Sequence, residues 1–515
     1  MSLTRRSFLQ GGAALGLSGA LGGMLAGCSV GGTQNLTTPL SNALTPAPPG
    51  PTPQVNVTLD VLTTQSTVFG GAFNHRSYNG AIGGPTIRCR PGDLLQVTVN
   101  NSLGPNLDLM PQDINIPHHF NTTNLHVHGL HVSPQGNSDN IFVSIDPGTS
   151  FLYQYQIPLN HTGGTYWYHP HNHGSTAVQL FSGMSGALII EGALDLVPEV
   201  AAARDVVFMI NELNIVAGAV PNFHGPGSFQ VTNDKFTVNG LSTPTFQARP
   251  GEVIRFRVIN ASSRATIPFS VESHPLNVIS VDGLTLTALQ TVSSIRLAAA
   301  NRADILIKAS TTPGTYAIQK AQDSPGGPPT ISGQTLAFIQ VSGAPLNMGL
   351  PSALPVEKAL EPILDAELNR PGRTIVYHVG PTTQGPGNNL PNFTINGARF
   401  DPNAVGEVVD LGAVEEWTLE NHNSAPNANV PHPHHIHINP FYVTEVFIPG
   451  VPDNGKPPLS PPLWMDTIDI PPASGGVPGH VKVRSRFVDF TGKFVMHCHI
   501  LTHEDAGMMR VVQVV

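Results

Sequence analysis

The sequence predicts an all-β protein of three consecutive Greek-key β-sandwich domains. Three observations carry that expectation. First, 52 Gly and 48 Pro in 515 residues leave little room for long helices, because both residues interrupt them. Second, apolar residues recur in short alternating runs, the period of strands with one buried face. Third, two phrases each occur three times, at intervals that suit whole domains and are too long for a solenoid repeat.

The chain opens with an address. Thr4-Arg5-Arg6-Ser7-Phe8-Leu9 is a twin-arginine pattern, followed by an uncharged Gly/Ala/Leu stretch from Gly11 to Ala26. That stretch is short and glycine-rich for a membrane span. It ends in Leu25-Ala26-Gly27-Cys28, which resembles the lipobox of bacterial lipoproteins. Residues 1–28 are therefore expected to be an export signal with a lipid anchor at Cys28. Residues 29–53, rich in Gly, Pro, Thr and Asn, read as a flexible tether. The mature protein is expected in the periplasm or at the cell surface.

The repeated phrases define the domains. Arg90-Pro91-Gly92-Asp93 leads into the alternating run Leu94 to Asn101, and Arg249-Pro250-Gly251-Glu252 leads into Val253 to Asn260. A weaker third copy runs from Leu411-Gly412 to Asn421. The second phrase is Gly164-Thr165-Tyr166, Gly314-Thr315-Tyr316 and Gly492-Lys493-Phe494. These place sandwiches near 54–193, 200–345 and 370–515, with a linker at 346–369; the stretch Pro355 to Arg370, reaching the linker's end, reads as helical.

Composition excludes some functions. A net charge of −9 argues against nucleic acid as a partner. Three cysteines cannot form a disulfide scaffold. The informative residue is histidine: of 22, ten lie between His75 and His173 and nine between His422 and His503. The outer domains should therefore carry the chemistry, and the middle one reads as a spacer.

Four motifs concentrate these histidines. They are Leu125-His126-Val127-His128-Gly129, Trp167-Tyr168-His169-Pro170-His171, His432-Pro433-His434-His435-Ile436-His437, and His497-Cys498-His499 continuing through His503 to Met508. On a strand, residues i and i+2 share a face, so each His-x-His aims both rings one way. Neutral imidazole is the commonest metal ligand. This many rings exceed one tetrahedral ion, so a cluster of metals is implied. In the last motif His497 and His499 face one side and Cys498 the other. Cys498 with His432, His503 and a weak Met508 thioether is the ligand set of a blue-copper electron-transfer site.

On these motifs the chain resembles the multicopper oxidases of the laccase type, over essentially the whole mature length. The resemblance implies three cupredoxin-like domains and four copper ions per chain: one type 1, one type 2 and a type 3 pair. It assigns His432, Cys498, His503 and Met508 to the type 1 copper. It assigns His126 and His435 to type 2, and His128, His169, His171, His437, His497 and His499 to type 3. The last three coppers would form a cluster between the first and third domains. The implied reaction takes electrons singly from phenolic, aromatic or similar small reductants and reduces dioxygen to water. A second reading with the same coppers is a cuprous-ion or other metal-ion oxidase, and a third is a non-enzymatic scaffold of this fold.

Dioxygen reduction consumes protons, so nearby carboxylates are candidates for supplying them. Asp139 and Glu504 match acidic positions of similar enzymes. His131, His173 and His434 sit beside ligands but outside the motif positions, and read as residues that support the ligands by hydrogen bonds or lie at the surface. His118, His119, His161 and His422 read as exposed loop histidines. Cys89 reads as a small buried apolar residue, and Trp167 and Tyr168 as sandwich core.

Overall fold

The computed structural model describes residues 53–222, 234–321, 333–382, 391–424, 427, 429–451 and 462–515. The twin-arginine pattern, Cys28 and almost all of the tether lie outside them. The described residues form six sheets, paired into three sandwiches.

In the first sandwich one sheet orders Phe73–Tyr78, Gln54–Ser66, Leu94–Asn101 and Ser150–Gln156. The other orders Ile87–Cys89, Gly186–Ile190, Gly164–His169 and His126–His128. In the third sandwich the first sheet carries Arg373–Thr382 beside Ala413–Asn421. Its second sheet orders Val405–Val409, Met509–Val514, Gly492–Cys498, His432–Ile436 and Thr467–Ile470. The repeated phrases occupy equivalent places. The strands after the first phrase each pair in parallel with the opening strand of their sandwich: Leu94–Asn101 with Gln54–Ser66, Val253–Ala261 with Arg204–Asn214, and Ala413–Asn421 with Arg373–Thr382. The strands of the second phrase sit inside the second sheet, each antiparallel to the strand that follows it.

Each sandwich closes over its own apolar core. Val97, Tyr153, Tyr168 and Leu188 belong to the first; Phe256, Phe269, Ile305 and Ile339 to the middle; Tyr377, Trp417, Val481, Met496 and Cys498 to the third. A fourth cluster joins all three. It packs Phe120, Trp167 and Phe181 against Met209 and Ile259 of the middle domain and Leu501 of the third. Trp167 therefore departs from the expectation of sandwich core. Alternation sends Tyr168 inward and Trp167 outward, where it meets the neighbouring domains.

The linker is not helical as expected. It contains two single turns of 3-10 helix, Lys358–Leu360 and Asp365–Glu367. Pro362 lies between them, and a proline removes an N–H donor and disfavours helical geometry in the residue before it. The segment instead buries Ile363 against Leu284, Val414, Tyr442 and Trp464. Arg484 and Arg486 take up its free carbonyls at Ile363, Glu361 and Pro362.

Candidate metal centre

The sheet of the third sandwich faces two ways. His432–Ile436 and Gly492–Cys498 run antiparallel, with His434 opposite Cys498 and His435 opposite His497. Pleating turns His432 and Cys498 toward the core of their own domain and His435, His497 and His499 away from it. In the first domain His126 lies opposite His169. The outward faces of these two sheets meet. Eight imidazoles gather there: His126, His128, His169, His171, His435, His437, His497 and His499, all essentially inaccessible to solvent. His126 stacks on His437 and His128 on His435, both with ring centroids 3.7 Å apart; His171 lies 4.7 Å from His497.

Hydrogen bonds at this cluster follow a pattern. An imidazole with one nitrogen held by a protein acceptor presents the other as a bare lone pair. His126 Nδ1 donates to Asp139, at 3.0 Å from both oxygens. His169 Nδ1 donates to Pro170 O at 2.9 Å, His435 Nδ1 to Asp466 O at 2.7 Å and His497 Nδ1 to Cys498 O at 3.2 Å. His128 is held through Nε2 by Asp466 and Thr467, at 3.3 and 3.1 Å. The opposite nitrogens are left without hydrogen-bond partners: His126 Nε2, His128 Nδ1, His169 Nε2 and His435 Nε2, with both nitrogens of His437 and His499. His171 Nε2 and His497 Nε2 point at each other across 3.1 Å. Burial drives the basicity of all eight below the ordinary histidine value, so the rings are neutral. So many buried, unpaired ring nitrogens are costly unless cations occupy the space between them. The donor set fits metal ions.

On the other face, His432 Nδ1 lies 3.4 Å from Cys498 Sγ and His503 Nδ1 lies 3.8 Å from it. Met508 is fully buried in the same core, and its carbonyl accepts from the Cys498 N–H at 3.1 Å. Burial pushes the Cys498 thiol above its usual range, so a neighbouring cation is needed to hold the thiolate. The two rings differ in access. His432 is fully buried with Asn423 Nδ2 2.9 Å from its Nε2, whereas His503 is only partly covered, by the stacked ring of Phe393 at 4.5 Å. The outer edge is therefore that of His503. Cys498 is covalently joined to His497 and His499, so one strand connects both sites.

Carboxylates line the cluster. Asp139 is fully buried, and burial pushes it up to about 8. Glu504, likewise raised to about 8 by burial, has Oε1 3.5 Å from His173 Nδ1 and 3.9 Å from His171 Nδ1. Asp505 accepts from the backbone of Gly174 at 2.7 Å and Ala177 at 2.8 Å, which fastens the third domain to the first.

Sequence reasoning missed Asp466 and its partners. Asp466 precedes the strand Thr467–Ile470, which pairs with the His432–Ile436 strand. Its carboxylate takes both arms of the buried Arg302 guanidinium, at 2.8 and 2.6 Å. Arg302 belongs to the middle domain, so that domain is more than the expected spacer. A lone Asp in a strand edge carries no signal by itself; only the tertiary contact reveals it.

Other histidines also differ from their expected exposure. His118 and His161 are buried and His119 is partly covered, because loops of the first domain fold over them; His422 alone is exposed as expected. His131 bridges to Asp489 at 2.8 Å, and His434 Nδ1 meets Tyr377 Oη at 2.6 Å. Cys89 is buried and free.

Three family models, each described as multicopper oxidase, match residues 61–194, 208–344 and 377–515. The chain belongs to the multicopper oxidase family. It is 26% identical to a multicopper oxidase of Staphylococcus haemolyticus over 89% of this chain and 88% of that protein. It is 29% identical to laccase-2 of Trametes villosa, covering 83% of this chain and 84% of the relative. Its fold matches the structure of a multicopper oxidase from Campylobacter jejuni, described as a metallo-oxidase, with a TM-score of 0.71 at 23% identity over 92% and 93% of the two chains. This multicopper oxidase is thus a copper-dependent oxidoreductase with dioxygen as acceptor, and the unpaired imidazole nitrogens and the Cys498 thiol are suited to its copper.

Proposed function

We propose that this chain holds four copper ions and works as a laccase-like oxidase of phenolic and aromatic reductants. His432, Cys498, His503 and Met508 would hold the type 1 ion. His126 and His435 would hold type 2, and His128, His169, His171, His437, His497 and His499 the type 3 pair. The observation that carries this reading is the set of bare nitrogens turned into one buried space, one residue along the strand from a buried cysteine. When bound, copper supplies the one-electron steps and the surface on which dioxygen takes up four electrons to become two waters.

The rest is the work of the protein. The partly open edge of His503 receives the reductant, while the core around Cys498 excludes water. The Cys498 backbone and side chain lead to His497 and His499 without a gap. Asp139 and Glu504, buried beside His126 and His171, hold protons at their carboxyl oxygens for dioxygen reduction. Similarity to fungal laccases supports phenols as the reductant class.

The test is metal analysis of the purified chain, followed by oxygen uptake with syringaldazine, an aromatic amine, Cu(I) and Mn(II). About four coppers per chain and faster turnover of phenol and amine than of the metal ions are expected. Preference for Cu(I) would select the metal-ion oxidase reading, and no uptake by fully loaded protein the scaffold reading. We further propose export by the twin-arginine route and lipid attachment at Cys28. Metabolic labelling with palmitate should mark the wild type and leave Cys28→Ser unlabelled.

A further inference from the structure

We infer that Arg302 of the middle domain is a positioning residue for the imidazole cluster, acting through Asp466 on His128 and His435. The inference rests on the reading of those two rings as copper ligands. Arg302 is fully buried and touches all three domains. Its Nη1 and Nη2 form a two-point contact with Asp466 of the third domain, its Nε donates to Thr165 O of the first at 3.1 Å, and its Nη2 also donates to Asp282 O of its own domain at 2.8 Å. A planar fork on a carboxylate fixes orientation as well as distance.

Asp466 passes that orientation on. Its Oδ1 lies 3.3 Å from His128 Nε2, and its backbone oxygen accepts from His435 Nδ1 at 2.7 Å. Thr467 Oγ1 donates to Asp466 Oδ1 at 3.0 Å and reaches the same two rings, at 3.1 Å from His128 Nε2 and 3.3 Å from His435 Nδ1. Asp282 anchors the backbone from the other side. It accepts from the N–H groups of Asp466 and Thr467 at 3.2 Å each and of Arg302 at 2.9 Å, while Asn301 Nδ2 donates to Thr467 O at 2.8 Å. The residue after His128 confirms how tightly the pair is seated. Gly129 has φ +86°, and a Cβ there would lie 2.3 Å from Asp466 Oδ2 and 2.5 Å from Arg302 Nη2. The middle domain, whose described residues contribute no imidazole to the cluster, thereby sets the tilt of one ring from each of its neighbours. Outer partners that orient metal-bound histidines change metal affinity or activity by about 10- to 100-fold when removed.

The same domain boundary offers a control. Arg257 is equally buried, but its partners are the carboxylates of Asp195, Asp205 and Asp304 and the hydroxyl of Thr165 rather than an imidazole. The experiment compares full-length, copper-loaded wild type with Arg302→Met, Arg302→Lys, Asp282→Asn and Arg257→Met. It reads copper per chain, the electron paramagnetic resonance signal of the non-blue type 2 copper, the blue absorption and Tm. Arg302→Met and Asp282→Asn are expected to lose or distort the type 2 signal and to weaken copper binding at the cluster at least tenfold, with the blue absorption retained. Arg302→Lys should recover part of the signal, and Arg257→Met should lower Tm with both signals intact. The near-isosteric Asp282→Asn keeps the test open if Arg302→Met does not fold. Unchanged type 2 spectra in Arg302→Met or Asp282→Asn, or a loss of blue and type 2 signals in the same proportion, would overturn the inference. Wild type without any type 2 signal would instead sink the ligand reading beneath it, before any variant is compared.

Discussion

The sheet that carries His432–Ile436 and Gly492–Cys498 has one sequence and two environments. One face looks into the core of its own domain, where Cys498 and Met508 lie among Tyr377, Phe494 and Ile470. The other looks across a domain boundary at His126, His128, His169 and His171, with carboxylates and a guanidinium behind them. The inner site draws its candidate ligands, His432, Cys498, His503 and Met508, from one domain. The outer cluster needs three domains to dock, because its rings come from the first and third and part of its hydrogen-bonded support from the middle. The lesson is that strand alternation assigns residues to sites, while domain packing completes only one of the two.

If the two faces are separate sites joined by one strand, they should fail separately. The largest effect is expected from Cys498→Ser. Blue absorption and reductant-driven oxygen uptake should fall to background, while the type 2 resonance persists. Simultaneous loss of that resonance would break the comparison. His437→Ala should do the reverse: it removes a ring with two unpaired nitrogens from the cluster, so oxygen reduction should stop while stopped-flow absorbance still records bleaching of the blue band by phenol.

Asp139→Asn is a smaller perturbation. The amide cannot exchange protons as the carboxyl does, and oxygen turnover should drop by about 10²-fold, within the usual range for removing a general acid or base. The rate of blue-band bleaching should stay unchanged; a parallel slowing of both steps would place Asp139 outside the cluster's proton supply. The mildest change is Met508→Leu, which keeps the volume and removes the thioether. The type 1 potential, measured by redox titration, should rise with the blue colour kept. An unchanged or lower value would count against Met508 as a ligand.

Much of this was legible along the chain. The first and second repeated phrases carry enough turn and strand signal to mark three sandwiches, and the His-x-His pairs declare their shared faces through the period of a strand. His126, His128, His435, His437, His497 and His499 needed no tertiary information to be grouped by face. The linker misled because its charged and apolar spacing is helical, whereas Pro362 and the apolar surface around Trp464 impose separate turns. His118 and His161 misled because loop position says nothing about what folds over a loop.

Alternation and ligand chemistry are local properties, so the sequence alone determined the strand faces and the copper-type donor set, while the division of the ligands among copper sites came from the resemblance. Which ring nitrogen points inward, which histidine keeps an outer edge, and that Arg302 and Asp282 reach the cluster through Asp466 were decided only by the tertiary structure. Those features depend on hydrogen bonds and burial set by the folded chain, some of them between residues more than a hundred positions apart, as Arg302 is from Asp466, and no periodicity within a strand encodes such contacts.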